Sequence, residues 1–182
     1  LVVIDEAYIE FCPESTLVSW LEEFDNLVIL RTLSKAFGLA SLRCGFVLAS
    51  KDILAALQLV IAPYPIAGPV AQLETRALGS ESIAKMQACV AKLNALKGEL
   101  SQALGALAFI QDVYPSDANF ILVKFRQGIS ASTLLAYLKE NQILVRDLSH
   151  QAALTNTLRL SIGDPVQNQK VITLIKKWEQ TR

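Results

Sequence analysis

Three prolines within seven residues, Pro63, Pro65 and Pro69, divide this chain into two stretches that no single helix or strand can bridge. Each proline fixes its own φ and lacks a backbone donor, so residues 62–69 mark a boundary between domains. Before the break, Leu1-Val2-Val3-Ile4 is a continuous apolar run closed by Asp5, the pattern of a parallel strand buried on both faces. Leu17, Trp20, Leu21 and Phe24 recur at helical spacing, which predicts a helix over 14–24. Strands over 27–30 and 45–49 and a helix over 51–61 complete an α/β pattern with a parallel-type sheet in residues 1–62.

After the break the order changes. Helices are expected over 70–78 and 82–107, the second with Ile83, Met86, Val90, Leu93, Leu96, Leu100 and Leu104 on one stripe. Strands over 109–113 and 119–125, a helix over 130–140, strands over 143–147 and 157–162, and a helix over 165–180 follow. Asp164-Pro165 supplies the N-cap and first turn of that last helix. Residues 63–182 therefore read as a small α+β domain with a mostly antiparallel sheet.

The chain has 182 residues and is 52% hydrophobic, enough apolar material for a core. Its 17 basic and 17 acidic side chains cancel, and no basic run is present, which argues against nucleic acid or a membrane surface as partner. Charge or proline interrupts every apolar stretch before about 18 residues, so no membrane-spanning helix is expected. Cys12, Cys44 and Cys89 are odd in number and form no CxxC or Cys/His cluster, the usage of reduced thiols in a cytoplasmic protein. A single histidine, His150, leaves little material for a metal site or a Ser-His-Asp triad.

The chemistry concentrates in Thr32-Leu33-Ser34-Lys35-Ala36-Phe37-Gly38 and the Arg43-Cys44-Gly45 that follows. A lysine in apolar surroundings loses its proton more readily and suits an imine with an aldehyde cofactor. Thr32, Ser34 and Arg43 are suited to a phosphate, the guanidinium binding two oxygens at once. Thirty residues before Lys35, Asp5 closes its strand, and Tyr8 follows three positions later. A carboxylate facing a pyridine nitrogen keeps it protonated, and a phenol donates to the ring oxygen. Lysine, carboxylate, phenol and phosphate ligands together describe a pyridoxal 5'-phosphate site. Asp5 and the Ser34-Lys35 loop both fall at carboxyl ends of predicted strands, where α/β sheets gather function. Taken alone, each residue also has a bland reading: Lys35 a surface lysine, Asp5 a loop cap, Tyr8 a packing residue, Arg43 half of a salt bridge. Glu6 reads as a solvated neighbour.

Two more arginines stand out. Arg146 lies in Ile143-Leu144-Val145-Arg146-Asp147, and Arg159 lies between Leu158 and Leu160. A charge in an apolar strand needs a partner, which is either a carboxylate such as Asp147 or an anionic group on a substrate.

These segments resemble the fold-type I pyridoxal-phosphate aminotransferases, and among them the histidinol-phosphate aminotransferase family. The resemblance rests on Val3-Ile4-Asp5-Glu6-Ala7-Tyr8-Ile9-Glu10-Phe11 and on the run from Arg31 through Lys35 to Gly45. It continues through Ala62-Pro63-Tyr64-Pro65, Asp117-Ala118-Asn119-Phe120, Val145-Arg146-Asp147 and Leu158-Arg159-Leu160-Ser161-Ile162-Gly163. It implies that residues 1–62 are the C-terminal portion of a large cofactor-binding domain and that 63–182 form the small domain. Lys35 would be the catalytic residue, with Asp5, Tyr8, Thr32, Ser34 and Arg43 also holding the cofactor. Arg159 and Arg146 would bind the substrate anion. The implied reaction takes L-histidinol phosphate and 2-oxoglutarate to imidazole acetol phosphate and glutamate in a cytoplasmic homodimer.

Family members are longer than this chain, and a chain that opens at Leu1 inside a strand is expected to be a fragment lacking its N-terminal part. Such a fragment would bind the cofactor weakly, if at all, and would be inactive. Related readings are an aromatic aminotransferase or a threonine-phosphate decarboxylase. A reading of another class is a non-catalytic folding or dimerisation unit.

Overall fold

The computed structural model describes residues 1–180, which fall into two compact units, Leu1–Val90 and Ala91 onward. The first is built on a three-stranded sheet of β1 (Val2–Asp5), β2 (Leu27–Thr32) and β3 (Gly45–Ala49), in the order β1-β2-β3. β1 runs parallel to β2, pairing Val2 with Leu27 and Asp5 with Leu30, and β3 runs antiparallel to β2. The sheet is thus mixed, where the sequence pattern predicts a parallel one. Gly45 faces Thr32 across the antiparallel pair, and a side chain there would put its Cβ 2.9 Å from the Arg31 carbonyl. Glycine is what lets β3 close on β2 at that point.

β1 departs from expectation in its burial. Val2 and Val3 point to opposite faces, yet they are 49% and 52% exposed. The strand is apolar but lies at the sheet's edge, so both faces stay open there. Its neighbour β2 has the expected burial, with Leu27, Val28 and Ile29 all in the interior.

The helix expected over 14–24 forms as two short 3₁₀ turns instead, Pro13–Ser15 and Val18–Glu22. The cause is tertiary. The Leu17 N–H, which a continuous helix directs to the carbonyl four residues back, donates to the Glu6 carboxylate at 2.7 Å. The next N–H, Val18, turns to the Thr16 hydroxyl at 3.3 Å. Helices α1 (Lys51–Gln58) and α2 (Gly68–Ala77) flank the proline segment, which breaks regular structure as expected and falls inside the first unit.

Helix α3 (Ser80–Gly105) crosses the division and gives Leu96, Leu100 and Leu104 to the core of the second unit. That core lies between helices and a four-stranded antiparallel sheet of β4 (Ile110–Tyr114), β5 (Phe120–Phe125), β6 (Arg146–Asp147) and β7 (Thr157–Ser161), in the order β4-β5-β7-β6. Along β5 burial alternates residue by residue, with Ile121, Val123 and Phe125 inward. Helices α4 (Ala131–Glu140) and α5 (Pro165–Gln180) bury Leu134, Leu138, Ile175 and Trp178 in the same core. Each such side chain contributes about 1.5–3 kcal/mol by leaving water.

Two polar devices set the ends of these elements. Asp164 and Gln167 exchange side-chain-to-backbone bonds at 2.8 and 3.0 Å, a reciprocal cap at the start of α5. Asn156, in the left-handed region at φ 58°, accepts the first N–H of α4 and donates to the carbonyls of Phe125 and Ile129. β6 is only two residues long where five are expected. Gln142 turns left-handed after α4 and the Ile143 N–H returns to the Leu138 carbonyl, so residues 143–145 are spent leaving the helix.

Candidate active site

The parallel pairing of β1 and β2 puts their carboxyl ends side by side. Asp5 ends β1, and Thr32 ends β2 ahead of the Leu33-Ser34-Lys35 loop. The Asp5 carboxylate is exposed and accepts the Ala7 N–H at 2.9 Å, which turns the chain toward Tyr8. Lys35 is exposed, and its Nζ lies 5.2 Å from the centre of the Tyr8 ring. A cation over an aromatic face is attracted to it. Lys35 Nζ makes no hydrogen bond or ion pair among the described residues, while its carbonyl accepts the Gly38 N–H at 3.0 Å. The sequence-predicted lysine, carboxylate and phenol therefore come from two segments and meet at one end of one sheet.

The hydroxyls form an internal cluster. Thr32 Oγ1 accepts the Ser34 N–H at 3.0 Å and lies 2.8 Å from Ser34 Oγ and 3.1 Å from the Cys44 carbonyl. Thr32 thus shapes the loop, while Ser34 presents its hydroxyl beside it. Arg43 adopts φ 55°, a conformation an L-residue rarely takes, and donates to the Ala40 carbonyl at 3.2 Å. Four of its five donors are left for another acceptor. Behind it Cys44 is buried beside Glu74, and burial, then that carboxylate, pushes its thiol up to about 11.

The reading of Glu6 as a solvated neighbour is overturned. Glu6 is buried, and its carboxylate accepts from Arg31 Nε at 3.0 Å, Arg31 Nη2 at 2.8 Å, Thr16 Oγ1 at 3.0 Å and the Leu17 N–H. Burial pushes its pKa up, but the Leu17 N–H, Arg31 and Thr16 outweigh it and hold the carboxyl below 4.5. Sequence reasoning missed both members of this pair. The signal was present in Arg31, a charge at the end of Leu27-Val28-Ile29-Leu30, which needs a partner just as Arg146 and Arg159 do.

In the second unit Arg146 and Arg159 are direct cross-strand partners on β6 and β7. The Arg159 guanidinium lies 4.9 Å from the Phe120 ring centre. Neither arginine forms a salt bridge among the described residues. Asp147, the carboxylate partner the sequence offers Arg146, accepts the Ser149 N–H at 2.8 Å instead. Like charges directly opposite on a sheet repel. Tyr64 stands almost fully exposed at 92%.

The described residues thus form an α/β unit with an amine, a carboxylate, a phenol and hydroxyls at adjoining strand ends, followed by an α+β unit carrying paired arginines. The family model for aminotransferase class I and II matches residues 1–175. This chain belongs to that family. It is 46% identical over 176 residues to the histidinol-phosphate aminotransferase of Pectobacterium carotovorum, covering 97% of this chain and 48% of that protein. The chain spans about half the length of the curated histidinol-phosphate aminotransferases it matches. Among solved structures, the histidinol-phosphate aminotransferase of Clostridium acetobutylicum superposes with a TM-score of 0.88 at 25% identity, over 99% of this chain and 54% of that one. The L-threonine-O-3-phosphate decarboxylase of Porphyromonas gingivalis gives 0.85 at 25% identity, over 98% and 55%.

Proposed function

We propose that this chain carries the cofactor lysine of a pyridoxal-phosphate-dependent aminotransferase acting on L-histidinol phosphate, with 2-oxoglutarate as amino acceptor. The observation that carries this reading is Lys35, an amine without an ion-pair partner among the described residues, beside the Tyr8 ring at the same sheet end as Asp5. The donor set fits the cofactor. Lys35 Nζ is available to its aldehyde, Asp5 to its ring nitrogen, Tyr8 to its ring oxygen, and Ser34 and Arg43 to its phosphate. Once bound, pyridoxal phosphate supplies an electron sink for the bonds at a substrate α-carbon. Lys35 Nζ, when free, would be the base that takes the proton from the substrate α-carbon and hands it on within the site instead of putting it back. Asp5 keeps the ring nitrogen protonated, and Tyr8 donates to the ring oxygen. Arg146 and Arg159 bind the anionic end of the substrate, the bidentate recognition for which arginine is suited. The family resemblance extends the reading to a homodimer.

A threonine-phosphate decarboxylase is the second reading, favoured by a TM-score nearly equal to that of the aminotransferase structure at the same identity. Sequence supports the first, since relatives 43–49% identical carry the histidine-pathway names.

The test traps the lysine. The chain is mixed with excess pyridoxal phosphate, reduced with borohydride and mapped by mass spectrometry. Lys35 is expected to carry most of the label, and Lys35→Ala to abolish it; label spread evenly over the lysines would sink the cofactor reading. For the substrate, histidinol phosphate is expected to shift the amide signals of Arg146 and Arg159. Equal shifts with phenylalanine would remove histidinol phosphate as the ligand, and a preference for threonine phosphate would favour the decarboxylase.

A further inference from the structure

We propose that the ion pair between buried Glu6 and half-buried Arg31 is the positioning device of the lysine site, holding the turn that carries Tyr8 and the loop that carries Lys35 in one arrangement. The inference rests on the cofactor reading only for what the two loops hold; the clamp itself is a property of this chain.

The argument starts from the ladder. Asp5 pairs with Leu30, and the Glu6 N–H donates to the Leu30 carbonyl at 2.8 Å, so Glu6 is the last residue of β1's course tied to β2. One step on, the chains diverge, and at that step the Glu6 and Arg31 side chains lock together through Nε at 3.0 Å and Nη2 at 2.8 Å. Both nitrogens of the planar guanidinium converge on one oxygen, Oε2, while the Leu17 N–H holds Oε1 at 2.7 Å, so the carboxylate is fixed in orientation as well as distance. Thr16 closes the arrangement, with its Oγ1 accepting from Arg31 Nη2 at 2.8 Å and standing 3.0 Å from Glu6 Oε2.

Both functional segments leave directly from this clamp. On one side, the Glu6 carbonyl accepts the Ile9 N–H at 3.1 Å, closing the turn that contains Tyr8. On the other, Arg31 precedes Thr32, whose hydroxyl accepts the Ser34 N–H, and the loop closes through Leu39 N–H to the Leu33 carbonyl. Tyr8 is two residues from Glu6, and Lys35 is four from Arg31. On the loop side Thr32 Oγ1 adds a second anchor, donating to the Cys44 carbonyl at 3.1 Å. The clamp sits at the base of both segments, whose Lys35 Nζ and Tyr8 ring centre lie 5.2 Å apart.

Stability alone is a poor reason for such a pair. Desolvating two charges largely cancels their attraction, and a well-packed apolar pair of like volume serves as well or better. What an apolar pair lacks is direction.

The experiment compares Glu6→Gln, Arg31→Met and the double variant Glu6→Gln/Arg31→Met in the full chain. Amide hydrogen exchange at residues 7–9 and 33–39 is read without cofactor, and the share of borohydride-trapped pyridoxal phosphate on Lys35 is read with it, well below the unfolding temperature. In Glu6→Gln, exchange is expected to rise about tenfold in both segments together, with α5 unchanged, and the Lys35 share of label to fall about fivefold. In the double variant the melting temperature is expected to recover while both local readouts stay abnormal. Recovery of the local readouts along with the melting temperature would show a merely structural pair and overturn the proposal. So would unchanged exchange in the single variants. Evenly spread label in the unaltered chain would instead remove the cofactor reading, and the exchange arm would still decide the clamp.

Discussion

The two units are built from similar amounts of chain but hold together differently. From Ala91 onward one apolar core runs from Leu96 to Trp178, and among the described residues the only large apolar side chains left strongly open are Leu144 and Val166. The first unit exposes Val2 and Val3 on both faces of β1, Trp20 and Phe24 beside it, and Leu59, Val60 and Ile61 after α1. At its strand ends a smaller apolar set, Ile9, Phe11 and Leu33, is joined by polar fixed points, the Glu6 clamp and the hydroxyl cluster at Thr32. The contrast teaches that the α+β unit takes its order from one apolar core, whereas the strand ends carrying the lysine add a few directed bonds to a smaller one.

The comparison is tested most severely by emptying the second core. Leu134 is fully buried, and Leu134→Ala is expected to cost the second unit about 3–5 kcal/mol. Trp178 is buried there and Trp20 is half exposed in the first unit, so urea unfolding of a Trp20→Phe background reports the second unit. A loss under about 1 kcal/mol would mean that the core is not what orders it.

Asn156→Ala is next. It strips the cap from α4 and the donors to the Phe125 and Ile129 carbonyls, and leaves alanine at a positive φ. About 2–3 kcal/mol is expected by the same fluorescence. Asn156→Gly, which keeps the backbone relaxed, should recover a part; no difference between the two would show that conformation contributes nothing.

A smaller, pH-dependent effect separates the units. Glu6 has a lowered pKa, so its contribution is complete above the unfolded value of 4.5 and is lost as pH falls through the folded value below it. Glu10 is the reverse case. Burial raises its pKa above 4.5, so it favours the fold when protonated and that contribution is lost as pH rises through the folded value. On acidification the first unit should gain slightly from Glu10 before it loses from Glu6, as read by Trp20 fluorescence. Glu10→Gln should erase the gain and Glu6→Gln the loss; unchanged profiles would refute the assignment.

The smallest effect belongs to Lys85→Ala. It breaks the exposed i,i+4 pair with Glu81 on α3, where about 0.3–0.5 kcal/mol is expected and should vanish in high salt. A salt-independent loss would point to packing of the lysine stem.

Much of this molecule was legible in its sequence. Period-2 burial in β5, the leucine stripe of α3 and the Asp164-Pro165 start of α5 are local patterns, and local patterns survive folding when tertiary contacts agree with them. The strand ends of Asp5 and Thr32 could be placed for the same reason, which brought Lys35, Asp5 and Tyr8 to one sheet end. The helix expected over 14–24 failed because Leu17's N–H found a carboxylate eleven residues back in sequence, and helical spacing carries no trace of that competitor.

The sequence by itself determined which residues are candidates to bear chemistry, because a lysine among hydroxyls and glycine and an arginine in an apolar strand are unusual wherever the chain goes. Tertiary structure alone decided what holds them. Glu6 and Arg31 are twenty-five positions apart and look like ordinary charges until β1 and β2 run parallel. Once that pairing forms, the Glu6 carboxylate is buried facing a half-buried guanidinium, and a carboxylate taken out of water must find such a partner.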